Sequence, residues 1–209
     1  MKVYFSSNPL RYDWESLLHS YKKYVKKTDT TLEIGASTKG RTTSLAKLCK
    51  KLIGVELMPE RKPKNHSNIK YLVGDWQQLS KIMKPNSIDI VVSSHVIEHV
   101  QNDLTSLNEL YKVLKPGGVA LINTPNRKRL VRSFIEMFTE ERVFPYAEHV
   151  REYTESDLTT LIKKSRFKTY KIIPVVFGIH AGPVYVYNES VPKPLRSLAQ
   201  FWEMHLFKE

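Results

Sequence analysis

Short apolar runs alternate with amphipathic stretches along most of the chain. The apolar runs predict strands at 30–34, 51–56, 69–73, 88–93 and 119–123, and helical spacing of apolar residues predicts helices over 42–49 and 103–114. The run at 88–93 is almost continuously apolar, which is typical of a central strand covered on both faces. Strands that alternate with helices in this way predict an α/β domain with a mainly parallel sheet.

The two ends of the chain extend this pattern. Apolar residues at helical spacing over 14–25 predict an N-terminal helical segment within residues 1–28, and a Thr154–Asp157 capping box opens a further helix. Strands are predicted at 170–177 and 184–187, followed by a C-terminal helix within residues 190–209. That helix would cap the domain, form a homodimer contact or lie on a membrane surface, with the first two favoured.

Composition and charge limit the class of protein. Hydrophobic residues make up 41% and charged residues 26% of the 209 residues, which is typical of a globular chain. With no linker or repeat, we expect a single domain over 1–209. Without a signal peptide, an apolar run of about 18 residues or a second cysteine, we expect a soluble, cytoplasmic protein that has no transmembrane segment.

The net charge of +12 favours contact with phosphate groups, including those of RNA. However, the lysine pairs 22–23, 26–27, 50–51 and 163–164 lie far apart in the sequence. Aromatic residues do not interleave with them as a groove for single-stranded nucleic acid requires. Charge alone therefore leaves RNA open as a partner without establishing it.

The strongest chemical feature is the turn after the strand at 30–34. Glu33 and Gly35 end the strand, and Gly40 precedes a helix whose free N–H groups can face an anionic ligand. The spacing Gly35-x-Ser37-x-x-Gly40 is one substitution away from the dinucleotide fingerprint, with Glu56 placed to bind ribose. Ser37 carries a Cβ where the backbone would touch a pyrophosphate. S-adenosylmethionine has no pyrophosphate, so this turn favours it over NAD.

Six segments, in this order and at these spacings, resemble the class I S-adenosylmethionine-dependent methyltransferases, in particular the group that includes ubiquinone-biosynthesis-like small-molecule enzymes. The segments are Leu32–Gly35, Gly54–Glu56, Val73–Asp75, Ile88–Val100, Leu114–Gly118 and His149–Thr154. The resemblance extends from about Thr31 to Phe167. It implies a Rossmann-like, seven-stranded, mostly parallel sheet with helices on both faces and one antiparallel edge hairpin strand.

The resemblance also implies a binding site for S-adenosylmethionine. Its predicted residues are Glu33, Gly35, Ala36, Ser37, Gly40, Glu56, Leu57, Asp75, Trp76, Ser93 and Ser94. The loop departs from the family pattern, since the family has glycine two and four residues after Gly35, where this chain has Ser37 and Lys39. Contacts by residues 36–39 therefore follow less directly from the resemblance than those by Glu33 and Glu56.

Each of these residues has an implied role. Glu33 would orient the loop and the methionine amino group, and Gly35 would pass beneath the cofactor. Glu56 would accept hydrogen bonds from both ribose hydroxyls. Asp75 would hold the adenine amino group, with Trp76 or Leu57 packed on the ring. Ser93 and Ser94 would line the site near the methyl group. The alternatives are strand-end carboxylates, a helix cap at Asp75 and simple turn-forming serines.

Three histidines are candidate catalytic bases: His95, His99 and His149. A base is needed only when the methyl acceptor must lose a proton. His95 and His99, with Glu98, could also bind a metal on one helix face, but their order is not that of zinc proteases, and we expect no metal.

The acceptor is predicted to contact residues 1–28 and a substrate-side insertion at 126–150. The basic and apolar stretch 127–135 predicts either a lid helix that suits a phosphate-bearing or lipid-like acceptor, or a surface helix packed by its apolar side. Methylation of RNA or protein is the alternative, suggested only by charge. An NAD-dependent dehydrogenase and a non-enzymatic cofactor-binding protein are less favoured.

Overall fold

A computed structural model describes residues 2–5, 19–36, 40–62, 67–129, 137–138, 149–177, 184–187 and 191–209. The strands are β1 (Lys2–Phe5), β2 (Thr30–Ile34), β3 (Lys51–Glu56), β4 (Ile69–Val73), β5 (Ile88–Ser94), β6 (Leu114–Pro125), β7 (Thr169–Phe177), β8 (Val184–Tyr187) and β9 (Ala199–Phe207). They form a nine-stranded sheet in the order β1-β8-β7-β9-β6-β5-β2-β3-β4.

The described helices are α1, which includes residues 19–24, α2 (Gly40–Ala46), α3 (Asp103–Val113), α4 (Glu155–Lys164) and the short α5 (Lys193–Arg196). Three short 3₁₀ helices span Pro59–Arg61, Trp76–Lys81 and Ile97–His99. The predicted capping box of α4 is confirmed, because the Thr154 side chain accepts from the Asp157 N–H and the Asp157 side chain accepts from the Thr154 N–H.

Seven of the nine strands form the predicted Rossmann-like sheet. β4, β3, β2, β5 and β6 are parallel neighbours. β9 is antiparallel to both β6 and β7, so the antiparallel strand lies inside the sheet. β8 and β1 then extend the same edge as further antiparallel strands. The predicted α/β fold is confirmed, with two edge strands beyond the seven.

Helices cover both faces of the sheet and divide the core into two layers. One layer includes Leu107 and Leu110 of α3 and Leu158 and Ile162 of α4, which are all fully buried. The other contains side chains of α1 and α2. We call the second layer the α1/α2 face. Because side chains alternate along a strand, each strand contributes to both layers.

The predicted C-terminal helix is wrong. Only Lys193–Arg196 is helical, and Ala199–Phe207 forms β9 between β6 and β7. Every β9 residue except the last is buried, so the segment has no polar face that would reveal an alternating strand pattern. Six of its nine residues are apolar, and their spacing fits a helix as readily as a strand. Burial inside the chain's own sheet also leaves these side chains unavailable for a membrane or dimer contact.

The N-terminal helical segment is only partly as predicted. Lys2–Phe5 is a strand that pairs with β8, and residues 19–24 are helical. The predicted helix start, at residues 14–18, lies outside the described residues, as does most of the predicted insertion at 126–150. Among the helices that the structure describes, none is long and apolar enough to cross a membrane.

The fold brings together lysines that are distant in sequence. The Asp29 carbonyl accepts hydrogen bonds from the backbone N–H groups of Lys50 and Lys51, at 3.0 and 3.2 Å, and the Asp29 N–H donates to the Lys26 carbonyl. The lysine pairs at 26–27 and 50–51 are all exposed. They therefore form one basic patch, which lies at the end of the sheet where β3 begins.

Candidate active site

The carboxyl ends of four parallel strands meet at one edge of the sheet. Glu33 lies near the end of β2, and Glu56 is the last residue of β3. Asp75 follows β4, and Ser93 and Ser94 end β5. The chain runs outward from β2 to β4 and then returns to β5, which pairs with the other side of β2. Ligands of open α/β sheets bind at such a reversal of strand order.

The turn after β2 requires glycine. Gly35 has a φ of +71°, and a Cβ added there would lie 2.6 Å from Cγ2 of Val96. The turn also packs closely on β3, because a Cβ on Gly54 would lie 2.6 Å from the Cβ of Ala36. Gly40 is the first residue of α2. The close packing leaves the backbone of this turn near the sheet edge. Ser37 lies outside the described residues, so its predicted cofactor contact stays a prediction.

Glu33 is the most distinctive charged group of the site. Its side chain is 3% exposed, and its Oε1 lies 3.5 Å from Nε of Arg41. Burial raises the pKa of Glu33, although Arg41 opposes the shift. Its Oε2 is buried and has no hydrogen-bond partner among the described residues. A cationic group beside Oε2 would satisfy this oxygen, so Glu33 fits the ammonium group of S-adenosylmethionine.

Glu56 and Leu57 lie beside Glu33 on the next strand. Oε1 of Glu56 accepts a hydrogen bond from the Met58 N–H at 3.2 Å, which orients the partly exposed carboxylate. Leu57 is 60% exposed. The pair therefore offers a carboxylate for ribose hydroxyls and an open apolar surface for an adenine ring.

We expect Glu56→Ala to weaken the binding of S-adenosylhomocysteine by about 1–3 kcal/mol, because charged hydrogen bonds to ribose are lost. Isothermal titration calorimetry measures the change. Glu60→Ala is the matched control, since Glu60 is an exposed glutamate on the neighbouring 3₁₀ helix. Equal affinities for wild type and the Glu56 variant would remove Glu56 from the ribose site.

The structure separates the two residues predicted to pack on adenine. Trp76 is 3% exposed and belongs to the core layer of α3 and α4, and its Nε1 donates to the Ser106 carbonyl at 2.9 Å. A buried, hydrogen-bonded indole presents no open ring face, so the geometry favours Leu57 over Trp76. Asp75 caps the 3₁₀ helix by accepting from the Gln77 N–H at 2.8 Å. Its predicted contact with the adenine amino group stays a prediction.

Ser93 and Ser94 point to opposite faces at the end of β5. Ser93 pairs with Ile34 and Ile122 in the layer covered by α3 and α4. Ser94 pairs with Asn123 and therefore lies on the α1/α2 face. Both serines are buried, and neither Oγ has a hydrogen-bond partner in the described part of the chain.

His95 follows Ser94 in a left-handed backbone conformation, with a φ of 54°. Its N–H donates to the Asn123 carbonyl at 3.0 Å. Its ring meets Phe201 edge to face at 4.9 Å, and Nδ1 lies 3.3 Å from Oε1 of Glu98. The imidazole is therefore held above the ends of β5 and β6, next to the predicted position of the methyl group.

The other two histidines contact each other. The rings of His99 and His149 are 4.7 Å apart and nearly perpendicular. His149 Nδ1 lies 3.0 Å from Oε1 of Glu152, and Arg129 binds both oxygens of the same carboxylate at 2.7 and 3.1 Å. Two distant segments of the chain thus form one hydrogen-bonded network at the sheet edge.

Arg129 and Glu152 belong to this network but were not predicted from the sequence. Glu152 lies inside the segment His149–Thr154 that carries the family resemblance, so its position was a usable signal. Arg129 lies in a basic stretch that suggested a solvent-exposed charge, yet it is 7% exposed. Only the fold shows that its charge is used internally.

Glu98 is fully buried, and its Oε2 accepts from the Thr124 hydroxyl at 3.0 Å. The potential ligand atoms of Glu98, His99 and His149 lie within 4.8 Å of one another. These groups can share a proton, and their spacing is also compatible with a bound cation. The prediction that the site holds no metal therefore stays a prediction.

Comparisons with known proteins agree with this architecture. Residues 32–122 match the family described as a methyltransferase domain. A protein of Mycolicibacterium smegmatis named "Probable S-adenosylmethionine-dependent methyltransferase" is 34% identical over 93 residues, which are 44% of this chain and 33% of that protein. The ubiquinone biosynthesis O-methyltransferase of Cereibacter sphaeroides is 27% identical over 143 residues, which cover 64% of this chain and 58% of the relative. The chain thus matches only part of each relative's length.

Solved structures share the fold. A Thermotoga maritima S-adenosylmethionine-dependent methyltransferase, described as a possible histamine N-methyltransferase, aligns with a TM-score of 0.69 and 24% identity, covering 96% of this chain and 91% of that one. The N-methyltransferase NodS of Bradyrhizobium japonicum, in complex with S-adenosylhomocysteine, aligns with a TM-score of 0.62 and 20% identity, covering 97% and 90%.

The sheet order and the buried carboxylate at its strand reversal define a Rossmann-like cofactor-binding protein. The match over residues 32–122 and the methyltransferase relatives favour S-adenosylmethionine among the cofactor classes. Over the matched residues, the chain is similar to S-adenosylmethionine-dependent methyltransferases.

Proposed function

We propose that the chain transfers the methyl group of S-adenosylmethionine to a small-molecule or lipid-precursor acceptor. The observation that carries this proposal is Glu33, a buried carboxylate with an unpaired oxygen beside the positive-φ turn at Gly35. A buried acceptor without a partner is costly, and a bound ammonium group removes that cost. In the proposed site, Glu56 binds ribose, Leu57 packs on adenine, and Ser93 and Ser94 lie near the methyl group.

When bound, the cofactor would supply a methyl group on a sulfonium. A lone pair of the acceptor would form the new bond to this methyl group, and the electron pair of the broken C–S bond would stay on sulfur. The protein's main task is to hold the acceptor in line with the bond that breaks. Because this chemistry needs little further activation, the remaining task is to remove a proton from an acceptor that carries one.

His149 is the proposed base, with His95 and His99 as the other candidates. Glu152 accepts from Arg129 and contacts Nδ1 of His149, so the imidazole has a fixed orientation beside His99. A carboxylate at Nδ1 stabilises the protonated imidazole that forms when the other ring nitrogen accepts a proton. The arrangement therefore suits His149 as a base that takes the proton of the acceptor on the ring nitrogen that does not contact Glu152.

We expect His149→Ala to lower turnover by about 100-fold or more, while the affinity for S-adenosylhomocysteine stays within twofold. Methyl transfer under saturating cofactor and calorimetric titration give the two quantities. Val150→Ala tests the neighbouring exposed position as a control. A loss confined to cofactor affinity would remove His149 from the acceptor side.

The name of the Cereibacter relative, an O-methyltransferase of ubiquinone biosynthesis, supports a small-molecule or lipid-precursor acceptor. The position of the basic patch argues against RNA as the acceptor. The patch includes Lys51, at the start of β3, whereas Glu56 lies at the other end of β3, in the candidate site. Five residues of strand separate the two by about 16 Å.

Labelled S-adenosylmethionine tests the acceptor class directly. The protein is incubated with a metabolite extract, a lipid extract or total RNA from the same cells. We expect label in the first or second and none in RNA. Label that appears only in RNA, with a strong dependence on salt, would replace the small-molecule proposal with RNA methylation.

A further inference from the structure

We propose that the methyl acceptor carries an amino group, which is bound by Asn123 and Glu203. This inference rests on the proposed methyl transfer. It concerns a row of buried polar side chains that begins at the proposed cofactor residue Ser94 of β5 and continues through Asn123 of β6 to Glu203 of β9, here called the polar row.

Strand pairing places the polar row on one face. Ser94 is the register partner of Asn123, and Asn123 is the register partner of Glu203. Register partners point to the same face, so all three side chains lie on the α1/α2 face, near the carboxyl ends of β5 and β6. Asn123 and Glu203 are fully buried, and Ser94 is 5% exposed.

The hydrogen-bonding groups of the polar row are largely unused. Among the described residues, no partner is found for Oγ of Ser94, for Oδ1 or Nδ2 of Asn123, or for Oε2 of Glu203. A buried polar atom without a partner destabilises the folded protein. Three adjacent strands place such unpaired atoms side by side. A ligand that supplies the missing hydrogen-bond partners explains this arrangement best.

The acceptor oxygens among the unused atoms favour a ligand that donates hydrogen bonds, whereas Nδ2 of Asn123 is an unused donor. Oε2 of Glu203 and Oδ1 of Asn123 accept, and the serine hydroxyl can both accept and donate. A hydroxyl group of a ligand has one hydrogen and can satisfy one acceptor oxygen. A primary amino group has two hydrogens and can satisfy both the carboxylate and the amide oxygen. The chemistry of the polar row therefore fits an amine better than an alcohol.

Contacts within the protein hold the side chain of Glu203 in place. Its Oε1 lies 2.5 Å from Nε2 of His205, and Nδ1 of His205 lies 3.1 Å from the hydroxyl of Tyr24. In the tautomer that carries its proton on Nε2, His205 donates to Glu203 and its Nδ1 accepts from Tyr24. One carboxylate oxygen is thus fixed within the protein, and the other stays available to a ligand.

The polar row adjoins the predicted position of the methyl group. Ser94 ends β5, where the methionine part of the cofactor is proposed to lie, and His95 N–H donates to the Asn123 carbonyl. Phe201, two residues before Glu203 on the same face of β9, meets the ring of His95. An amino group bound by Asn123 and Glu203 would therefore lie next to the cofactor and beneath His95.

The test uses Asn123→Leu in the full-length protein. Leucine has the same number and branching of side-chain heavy atoms as asparagine and removes two unpaired polar atoms, so it leaves the stability unchanged or raises it. Labelled S-adenosylmethionine is added to a metabolite extract, and the products are separated by cation exchange. We expect wild type to label the cationic, amine-containing fraction, Asn123→Leu to lose at least 90% of this label, roughly tenfold or more in rate, and both proteins to bind S-adenosylhomocysteine equally.

Glu203→Gln and Thr31→Val complete the design. Glu203→Gln keeps the shape but replaces the charge, and we expect the same loss of label. Thr31→Val removes a buried hydroxyl from the other end of the α1/α2 face and should keep the wild-type rate. Label confined to neutral or acidic fractions, no label in any fraction while S-adenosylhomocysteine binds, or an unchanged rate in Asn123→Leu would overturn the amine site. Failure of wild type to bind S-adenosylhomocysteine would instead overturn the proposed function.

Discussion

Replacing Glu33 by glutamine is expected to reduce the affinity for S-adenosylhomocysteine by roughly 10- to 100-fold. Oε2 of Glu33 is buried without a partner among the described residues, and the cofactor's ammonium group would be its partner. A hydrogen bond to a charged group contributes about 1.5–3 kcal/mol. Glutamine keeps the shape of the side chain but offers a neutral oxygen. Calorimetric titration of both proteins gives the difference in affinity.

The same substitution has a consequence for pH dependence. Burial raises the pKa of Glu33 above its ordinary value of 4.5, with Arg41 opposing the shift and Tyr71 nearby. The ammonium group binds the ionised carboxylate, so affinity in wild type falls as pH is lowered through the raised pKa. In that range, binding must release a proton from Glu33. Titrations in buffers of different ionisation enthalpy, between roughly pH 5 and 8, measure this release.

Glu33→Gln should abolish the part of the pH dependence that belongs to Glu33. It should not lower the stability of the free protein. Because the pKa of Glu33 is raised in the fold, the ionised carboxylate lowers the free energy of unfolding as pH rises above 4.5, and glutamine has no charge to bury. If the Glu33→Gln variant binds as tightly as wild type, with the same proton release, then Glu33 does not hold the cofactor.

Gly35→Ala is expected to lower the free energy of unfolding by about 2–5 kcal/mol and to weaken cofactor binding. The positive φ costs an alanine about 1–2 kcal/mol. Its Cβ would also lie 2.6 Å from Cγ2 of Val96, and relieving such overpacking adds about 1–3 kcal/mol. Because the turn adjoins the cofactor site, the displaced backbone also changes the site. Denaturant unfolding and calorimetry measure the two effects.

Gly117 provides a matched control for Gly35. Its φ is +78°, and a Cβ added there would meet no atom within 4 Å. Gly117→Ala should therefore show only the backbone cost, with cofactor affinity unchanged. Adding Val96→Ala to Gly35→Ala should recover part of the lost stability. Equal losses in both alanine variants would show that the contact with Val96 does not matter.

The sequence was sufficient to predict the parallel part of the fold and the sheet edge at which the carboxyl ends of β2 to β5 meet. Strands β2 to β6 are short apolar runs separated by helical patterns, and the resemblance follows the same segments. The strand β9 could not be predicted in this way, because a strand that is buried on both faces loses its alternation. Its polar residues Gln200, Glu203 and His205 are also buried within the sheet, so they mark no solvent-exposed face.

The candidate site was predicted where its chemistry lies close together in the sequence. Glu33 and Gly35 share one turn, and His95 and His99 share another. Asn123 and Glu203, in contrast, become neighbours only through the antiparallel pairing of β6 with β9. The contact between Arg129 and Glu152 depends in the same way on tertiary structure. No spacing rule connects such residues before the strand order is known.

The most direct test of the central claim is a calorimetric comparison of two ligands on the same wild-type protein. S-adenosylhomocysteine contains the amino, ribose and adenine groups that Glu33, Glu56 and Leu57 are proposed to bind. NAD shares the adenine and ribose but has a pyrophosphate and no amino-acid part. We predict saturable binding of S-adenosylhomocysteine and none of NAD at the same concentrations. Tight binding of NAD without binding of S-adenosylhomocysteine would contradict the account.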